Sequence, residues 1–533
     1  MGQAVQQNCI AFARITGYCM KKQLIPALLV WLLPVAGYAQ QTALAQPAAE
    51  KILALPATPV ADKDACDLIL QGMEAWWYAT GDGRYYQYIE KTVDAFVNGN
   101  TTAGLPGRAA LTLYNVTGKI KYYNAARARR MQTGNAWQQQ AFVAAYSNPF
   151  HQDTAFDGIG RSLLQNSKTV TRLRNTSDAA RYGAVLIDVL EQFPGQNAQR
   201  AALLQLLKQT AALWSATRFT AGSCALQVYM LAKGVRLGLL PQSYLVTAQQ
   251  YGAAIAGQTP GGDDNTKAFA LGAYLLAGTE LELAAVPKTG SNKTILLDSY
   301  FNNEHRNDTT GANTSFHYKW EEMDNNGFYA WGNIFRATGA QTHTLYISPD
   351  AATLQQADVY IIVDPDTKAE SPMPNYMTPE AAQHIYDWVN KGGVLVMMMN
   401  DSANTEFDHF NILSEKFGIH FNKDVRNKVA GRQYETGQMD IPQGDSIFTT
   451  ARRIYMKEIC TQTLQPPAKA HFTRQGDVLV SVAKVGKGTV FAVDDPWLYN
   501  EYTDGRNAAA DADNFKAAQD LARWLLQQVP ASK

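Results

Sequence analysis

The sequence predicts two domains of different class: an all-α module of helical hairpins forming an (α/α) toroid, followed by a doubly wound α/β domain. Three observations predict this. A short phrase occurs twice, first as Ala79-Thr80-Gly81-Asp82-Gly83-Arg84-Tyr85-Tyr86 and 37 residues later as Val116-Thr117-Gly118-Lys119-Ile120-Lys121-Tyr122-Tyr123. Each copy closes one apolar helical run and opens another, and Gly after Thr suits the left-handed position that ends a helix. Secondly, from Lys63 to about Ala285 apolar residues recur at three- and four-residue spacing, as in Leu203, Leu206 and Leu207. Hairpins repeated in this way close into a ring or stack into a solenoid, because each is too thin to bury its own apolar face. Thirdly, beyond Lys293 short apolar runs alternate with helical stretches, the pattern of a parallel sheet covered on both faces.

Taken in order, Met20-Lys21-Lys22, the apolar run Leu24–Val35 and the small residues Gly37-Tyr38-Ala39 read as a secretory signal peptide over 20–39. Residues 1–19 then precede the true start at Met20, and the mature protein is expected to be periplasmic or secreted, with no membrane association after cleavage. Residues 40–60, rich in Ala, Gln, Pro and Thr, read as a flexible lead-in. The helical module covers 61–286. Its helices are expected over Cys66–Thr80, Tyr85–Asn98, Gly107–Thr117, Tyr122–Gln132, Asp178–Phe193, Ala198–Trp214, Cys224–Leu237, Tyr244–Gly257 and Lys267–Leu283. Residues 287–293 are a linker, and the α/β domain spans 294–530. Strands are expected at Thr294–Asp298, Thr342–Ile347, Val359–Asp364, Val394–Met399, Asp477–Ala483 and Thr489–Asp494. The helices between and after them are expected at Trp320–Thr338, Pro379–Asn390 and Asn514–Gln528.

With 47 basic and 47 acidic residues there is no electrostatic case for nucleic acid or an anionic membrane. Cys66, Cys224 and Cys460 are too few and too far apart for a disulfide framework, and a single bridge stays open. The histidines lack metal-ligand spacing and no Gly-rich phosphate loop is present, so neither metal nor cofactor is expected. Abundant tyrosine (26) and tryptophan (10) suit either a protein that handles sugars or a large aromatic core.

Glycoside chemistry needs a positioned carboxyl group as proton donor. In the middle of the helical module the candidates are Asp153 and Asp157, four apart at a helix start, where helix capping explains them equally well. Trp137, His151 and Tyr182 are the candidate sugar contacts, with Arg181 among the neighbouring polar residues. In the α/β domain, Asp298, Asp364-Pro365-Asp366, Asn400-Asp401 and Asp494-Asp495 stand at expected strand ends, where ligands of such sheets bind. The turn after Met399 reads Asn400-Asp401-Ser402, without a nucleophile for acyl transfer.

The helical text resembles glycoside hydrolase families 88 and 105, the unsaturated glucuronyl and rhamnogalacturonyl hydrolases. The matching phrases are Gly72–Asp82, Leu113–Gly118 with Lys121-Tyr122-Tyr123, Tyr182-Gly183 with Val185–Phe193, Leu231–Gly238 and Gly272–Glu280, in the family's order. The α/β domain resembles a class I glutamine-amidotransferase-like appendage with its cysteine position empty. The resemblance implies a six-hairpin toroid and removal of 4,5-unsaturated uronic acid from lyase-generated oligosaccharides such as those from pectin. An aspartate would protonate the double bond, without metal. No position here matches the family's catalytic aspartate phrase, so no catalytic residue is carried over. Two readings follow: a hydrolase with its acid relocated, and a sugar-binding or scaffold relative without catalysis. A third places an active site on the α/β rim.

Overall fold

The computed structural model describes residues 44–56, 62–99, 104–134, 136–150, 152–172, 177–214, 221–258, 260–308, 311–428, 434–509 and 511–531. The leader lies outside them. The N-terminal module is built of helices: α1 (44–53), α2 (Lys63–Thr80), α3 (Gly83–Asn98), α4 (Gly107–Thr117), α5 (Ile120–Met131), α6 (Gln140–Ser147), α7 (Ala155–Arg172), α8 (Ser177–Gln192), α9 (Arg200–Trp214), α10 (Ala221–Arg236), α11 (Ser243–Ile255) and α12 (Asp264–Ala285). The repeated phrase makes two hairpin corners. Gly81 and Gly118 take φ of 66° and 63°, and their amides close on Trp77 and Tyr114 carbonyls. Tyr85 and Tyr122, which follow, are buried against the preceding helices.

The even-numbered helices pack in a circuit: α2 on α4, α4 on α6, α6 on α8, α8 on α10, α10 on α12, and α12 back on α2. The odd-numbered helices α3, α5, α7, α9 and α11 each lie against the even-numbered helix before them. Close helix approach on the α2–α12 side needs glycine, since a Cβ on Gly272 would sit 2.8 Å from the Ile69 amide nitrogen. Residues 44–53, inside the segment expected to be a flexible lead-in, are helical, with Leu44, Ala45, Ala48, Ala49 and Ile52 buried. The alanine and leucine that read as low complexity are strong helix formers with a face to bury.

The second domain runs β1 (Thr294–Asp298), β2 (His305–Asn307), β3 (Asn313–Ser315), α13 (Tyr329–Ala337), β4 (Gln341–Leu345), α14 (Ala351–Leu354), β5 (Val359–Val363), α15 (Pro379–Asn390), β6 (Val394–Met398) and α16 (Asn411–Ser414). It continues through β7 (Ile419–Arg426), β8 (Gln438–Asp440), β9 (Arg453–Tyr455), β10 (Ile459–Leu464), β11 (Lys469–Arg474), β12 (Asp477–Val485), β13 (Gly488–Val493), α17 (Asn500–Thr503) and α18 (Asn514–Gln528). The main sheet has the order β4-β1-β5-β6-β13-β12-β10-β7, with β11 also on β12. Its first five strands are parallel and the remainder antiparallel. On one face Ile295, Leu297, Ile361 and Val363 pack with Trp331, Phe335, Leu521 and Leu525 of α13 and α18. On the other, Leu296, Tyr360 and Ile362 pack with Leu354, Ile385 and Leu413 of α14, α15 and α16.

The sheet is thus mixed where the sequence suggested a parallel one. The parallel strands are the continuous apolar runs, whereas β7 alternates buried with exposed residues and offers no such run. Residues 320–328, expected to start a helix, form turns before α13. There Gly327 lies so close to the Glu322 carbonyl that a Cβ would stand 1.9 Å from its oxygen. The three described cysteines are buried free thiols.

The domains meet around a buried ion pair of the second domain. Arg506 donates from Nε to Asp504 at 2.8 Å, with 4% and 2% of the side chains exposed. It also donates to the Val116 carbonyl, while its guanidinium lies 5.8 Å from the Trp77 ring centre and 5.9 Å from that of Tyr86. Trp77 returns a hydrogen bond to the Asp504 carbonyl at 2.6 Å. Beside them Gly83 and Gly505 touch backbone to backbone, a Cβ on Gly83 falling 2.1 Å from the Gly505 oxygen. Arg506→Ala therefore leaves Asp504 buried without its cation, and we expect a loss of about 3–5 kcal/mol in denaturant unfolding. Gly83→Ala, which forces the two backbones apart, should cost about 1–3 kcal/mol in the same measurement.

Candidate functional site in the helical circuit

Polar residues on α2 stand three, four, three and four apart: Asp64, Asp67, Gln71, Glu74 and Tyr78. That spacing puts them on one helix face. The face points across the circuit, because Asp64 and Gln71 both reach α8, three places round from α2. Asp64 accepts from Arg181 at 2.9 Å, and Gln71 donates to Asp188 at 2.7 Å. Side chains of opposite helices thus meet across the centre, which is filled by polar layers.

The middle layer surrounds Asp188. Its carboxylate accepts from the Tyr229 hydroxyl at 2.5 Å and from Lys233 at 2.6 Å, with Arg108 at 3.8 Å. Lys233, 4% exposed, also pairs with Glu191 at 2.8 Å. Burial alone would raise the pKa values of Asp188 and Glu191. The attraction of Lys233, joined by Arg108 at Asp188 and Arg236 at Glu191, outweighs burial and holds both below the usual range. These carboxylates stay ionised.

Below this layer, towards the α/β domain, Arg236 grips Glu280 with two bonds of 2.6 and 2.8 Å. Arg108 and Thr112 hold Glu74 at 3.3 and 2.9 Å. Tyr329 of α13 completes this end, its ring edge-on to Tyr78 at 5.3 Å.

Above the middle layer the chemistry differs. Asp67 lies between Asp64 and Gln71 on the inward face, half-buried, and its Oδ1 is enclosed without a hydrogen-bond partner. Burial, reinforced by the charge of Asp64, pushes its pKa up to about 8. Among the described carboxyl groups facing the centre, Asp64, Glu74, Asp188, Glu191 and Glu280 each have a cation partner and Asp67 has none. Glu282 is also raised by burial, to about 7, but two residues past Glu280 it turns away from the centre. The Arg181 guanidinium lies 4.9 Å from the Phe269 ring centre.

The residues expected from sequence fall elsewhere. Asp153 and Asp157 are exposed around the start of α7, in the outer set, and Asp157 accepts from Asn197 at 3.1 Å. Trp137 and Tyr182 are brought together, rings 5.3 Å apart, but as core. Tyr182 is fully buried and its hydroxyl is spent on the Leu163 carbonyl at 2.7 Å. His151 lies outside the described residues. In the sequence Asp157 is prominent as an isolated acid, whereas Asp67 is one of several polar residues in a helix and stands out only by its phase. The same phase, in Tyr229-Lys233-Arg236, marks α10 as an inner helix.

The α/β rim is built in another way. Asp298 at the end of β1 accepts from the amides of Tyr300 and Phe301 at 3.1 and 2.7 Å and from the Tyr360 hydroxyl at 2.6 Å. Asp364, just past β5, takes a left-handed φ of 46° and accepts from Thr405, from Tyr318 at 2.8 Å and from Asn400 at 3.2 Å. Burial pushes Asp298 up to about 6 and Asp364 and Asp366 up to about 7. Among the described residues no group of three His, Cys, Asp or Glu side chains is arranged to hold a metal ion.

A family model described as a domain of unknown function (DUF4350) matches residues 322–521. No curated protein matches the chain. Solved structures similar to it include glycoside hydrolases of families 105 and 88 at low identity. A family 105 glycoside hydrolase from C. acetobutylicum is 21% identical, over 44% of this chain and 98% of that one, with a TM-score of 0.36. A family 88 glycosyl hydrolase from Bacteroides vulgatus is 14% identical, over 46% and 98%, with a TM-score of 0.37. The mmIFT52 N-terminal domain is 16% identical, over 44% and 97%, with a TM-score of 0.33.

Replacing Lys233 by Met leaves Asp188 and Glu191 enclosed without their shared cation. We expect a loss of about 3–5 kcal/mol by chemical denaturation. The deficit should shrink as pH falls towards about 4, where an unpaired buried carboxylate takes up a proton.

Proposed function

We propose that the chain is an exported hydrolase acting on 4,5-unsaturated uronyl oligosaccharides, with Asp67 as its acid. What supports it is Asp67 itself, a carboxyl on the inward stripe of α2 whose Oδ1 is enclosed without a hydrogen-bond partner and whose pKa burial pushes up to about 8. The phrases shared with the unsaturated uronyl hydrolases, and a six-helix inner circuit that we read as an (α/α) toroid, supply the substrate class. The leader supports export to the periplasm or beyond. We read the parallel half of the sheet, with helices on both faces, as a doubly wound, amidotransferase-like appendage.

In this reading Arg181 pairs with the uronate carboxylate and Phe269 receives the apolar face of the sugar. Asp67 gives its proton to the C4 carbon of the double bond, and the carboxylate so formed takes a proton from the water that adds to C5. One water is consumed and the acid regenerated. The resulting hemiketal opens and releases the neighbouring sugar.

A second reading, a sugar-binding relative, is favoured by the paired state of every other described inward carboxylate, which leaves Asp67 without a second acid or base of its own kind. Ultraviolet absorbance of the unsaturated uronyl group separates the two. Incubated with lyase-digested rhamnogalacturonan or glycosaminoglycan, the mature chain should bleach that absorbance. Asp67→Asn should lower the rate at least about a hundredfold, and Asp157→Asn should leave it unchanged. A flat trace from folded protein on both digests would sink the hydrolase reading. Turnover should persist at neutral pH and fall as pH rises through about 8, where Asp67 ionises.

A stability measurement checks the same group. A raised carboxyl pKa means that the folded state binds the proton more tightly, so stability is lost as pH rises from the ordinary range towards about 8. Asp67→Asn should therefore melt with the parent at low acidic pH and several degrees above it at mildly alkaline pH.

A further inference from the structure

In the second domain two strand edges meet across a cavity, on the side of the sheet away from β4. Residues 480–482 of β12 pair with both β13 and β11, so β11 lies on the opposite side of β12 from β13. Beyond β12, no backbone group of β11 bonds to another strand among the described residues. β8 belongs to a separate two-stranded sheet with β9. The Met456 amide meets the Gly437 carbonyl, and the Ile441 amide the Arg452 carbonyl, each at 2.9 Å. In an antiparallel pair such bonds recur at every second residue, so the backbone groups of Gln438 and Asp440 point away from β9. They too bond to no other backbone among the described residues.

Between these edges lies a cavity of about 370 Å³, lined by Gln438–Asp440 of β8, by residues 472–474 of β11 and by Glu435. Successive side chains of a strand point to opposite faces, so three successive residues around one cavity present its edge to it. Arg474 closes one end, donating to the Thr436 carbonyl at 2.9 Å and to Asn427 at 3.3 Å. The Met439 and Phe472 side chains beside it are buried.

We propose that this cavity receives an extended segment of a partner protein, which adds as a strand between β8 and β11 and joins the two sheets. Backbone donors and acceptors on both walls are met together by another extended backbone, the chemistry of strand addition. A two-stranded sheet is marginal by itself and gains most from a further strand. Charge sets which segment fits. Of the charged groups lining the cavity, Asp440 is held by Arg453 at 2.7 Å and Arg474 by its two oxygens. Glu435 is exposed and has no partner among the described residues, so the segment carries a lysine or arginine beside it. This role is separate from the hydrolase reading and does not need it.

The probe is a capped, fluorescein-labelled peptide of alternating threonine and valine with a central lysine, titrated by anisotropy against the mature two-domain chain. The parent should bind it, and should bind the twin with a central glutamate about tenfold more weakly. Glu435→Gln should abolish that preference. Methylating alternate backbone nitrogens of the peptide, which removes its strand donors and leaves its charge, should abolish binding. Asp440→Pro deletes one outward N–H that makes no bond to β9, and should bind about tenfold more weakly than Asp440→Ala, which keeps it. Melting curves matched to the parent show that each variant keeps its fold. No binding of the lysine peptide by the parent, or equal binding of its N-methylated form, overturns the proposal, and neither outcome depends on a variant. Binding of oligogalacturonides that is lost in Asp440→Pro, without binding of the peptide, overturns it in favour of a saccharide.

Discussion

Lys233 carries the arrangement of the helical module. It ties Asp188 and Glu191 of α8 to α10 at 2.6 and 2.8 Å, in a place where almost none of its own surface is exposed. Six helices in a circuit bury their outward and lateral faces against neighbours, but their inward faces meet one another across a small centre. Apolar inward faces would collapse without defining which helix stands opposite which. Charged groups there demand partners, and a lone one costs several kcal/mol. Asp188 is satisfied only if α2, α4 and α10 all deliver their side chains, so this cluster sets the register of the circuit.

The second domain buries carboxylates by the opposite device. At the carboxyl ends of β1 and β5, Asp298 and Asp364 have no ion-pair partner among the described residues and are met by hydroxyls, amides and backbone N–H groups, so burial raises their pKa values. The rim is bonded inward, to its own loops, and Asp364 holds a backbone conformation that few residues other than glycine adopt. A ligand there would have to displace bonds already made.

Much of this was legible in the chain. The repeated Thr-Gly corners marked the hairpins, and the apolar runs of β1, β5 and β6 marked the buried parallel strands. Pro379 fixed the start of α15 to the residue. What did not show was whatever depends on partners distant in sequence. The antiparallel strand β7 alternates in burial because of the neighbours it meets, β11 is mostly exposed, and α1 hid in an alanine-rich segment. The inner face of α2 was present as a phase, Asp64-Asp67-Gln71-Glu74-Tyr78, but that phase means little until α8 is known to stand opposite. Asp153 and Asp157 stood out as the acids of their stretch, and in the structure both face water.

Asp67 is the exception that the rest of the cluster makes informative. Its nearest inward neighbours on α2 are engaged, Asp64 with Arg181, Gln71 with Asp188 and Glu74 with Arg108. A carboxyl in the same stripe, given no cation and an oxygen with no donor, is held in the neutral form at a cost to stability that an asparagine or leucine would avoid. Packing does not require it, because the circuit is already pinned by the layer beneath. Burial and the charge of Asp64 hold this carboxyl in its neutral form, and the proposed function rests on it. That is the argument for chemistry at this end of the circuit, and it rests on the contrast between Asp67 and its partnered neighbours.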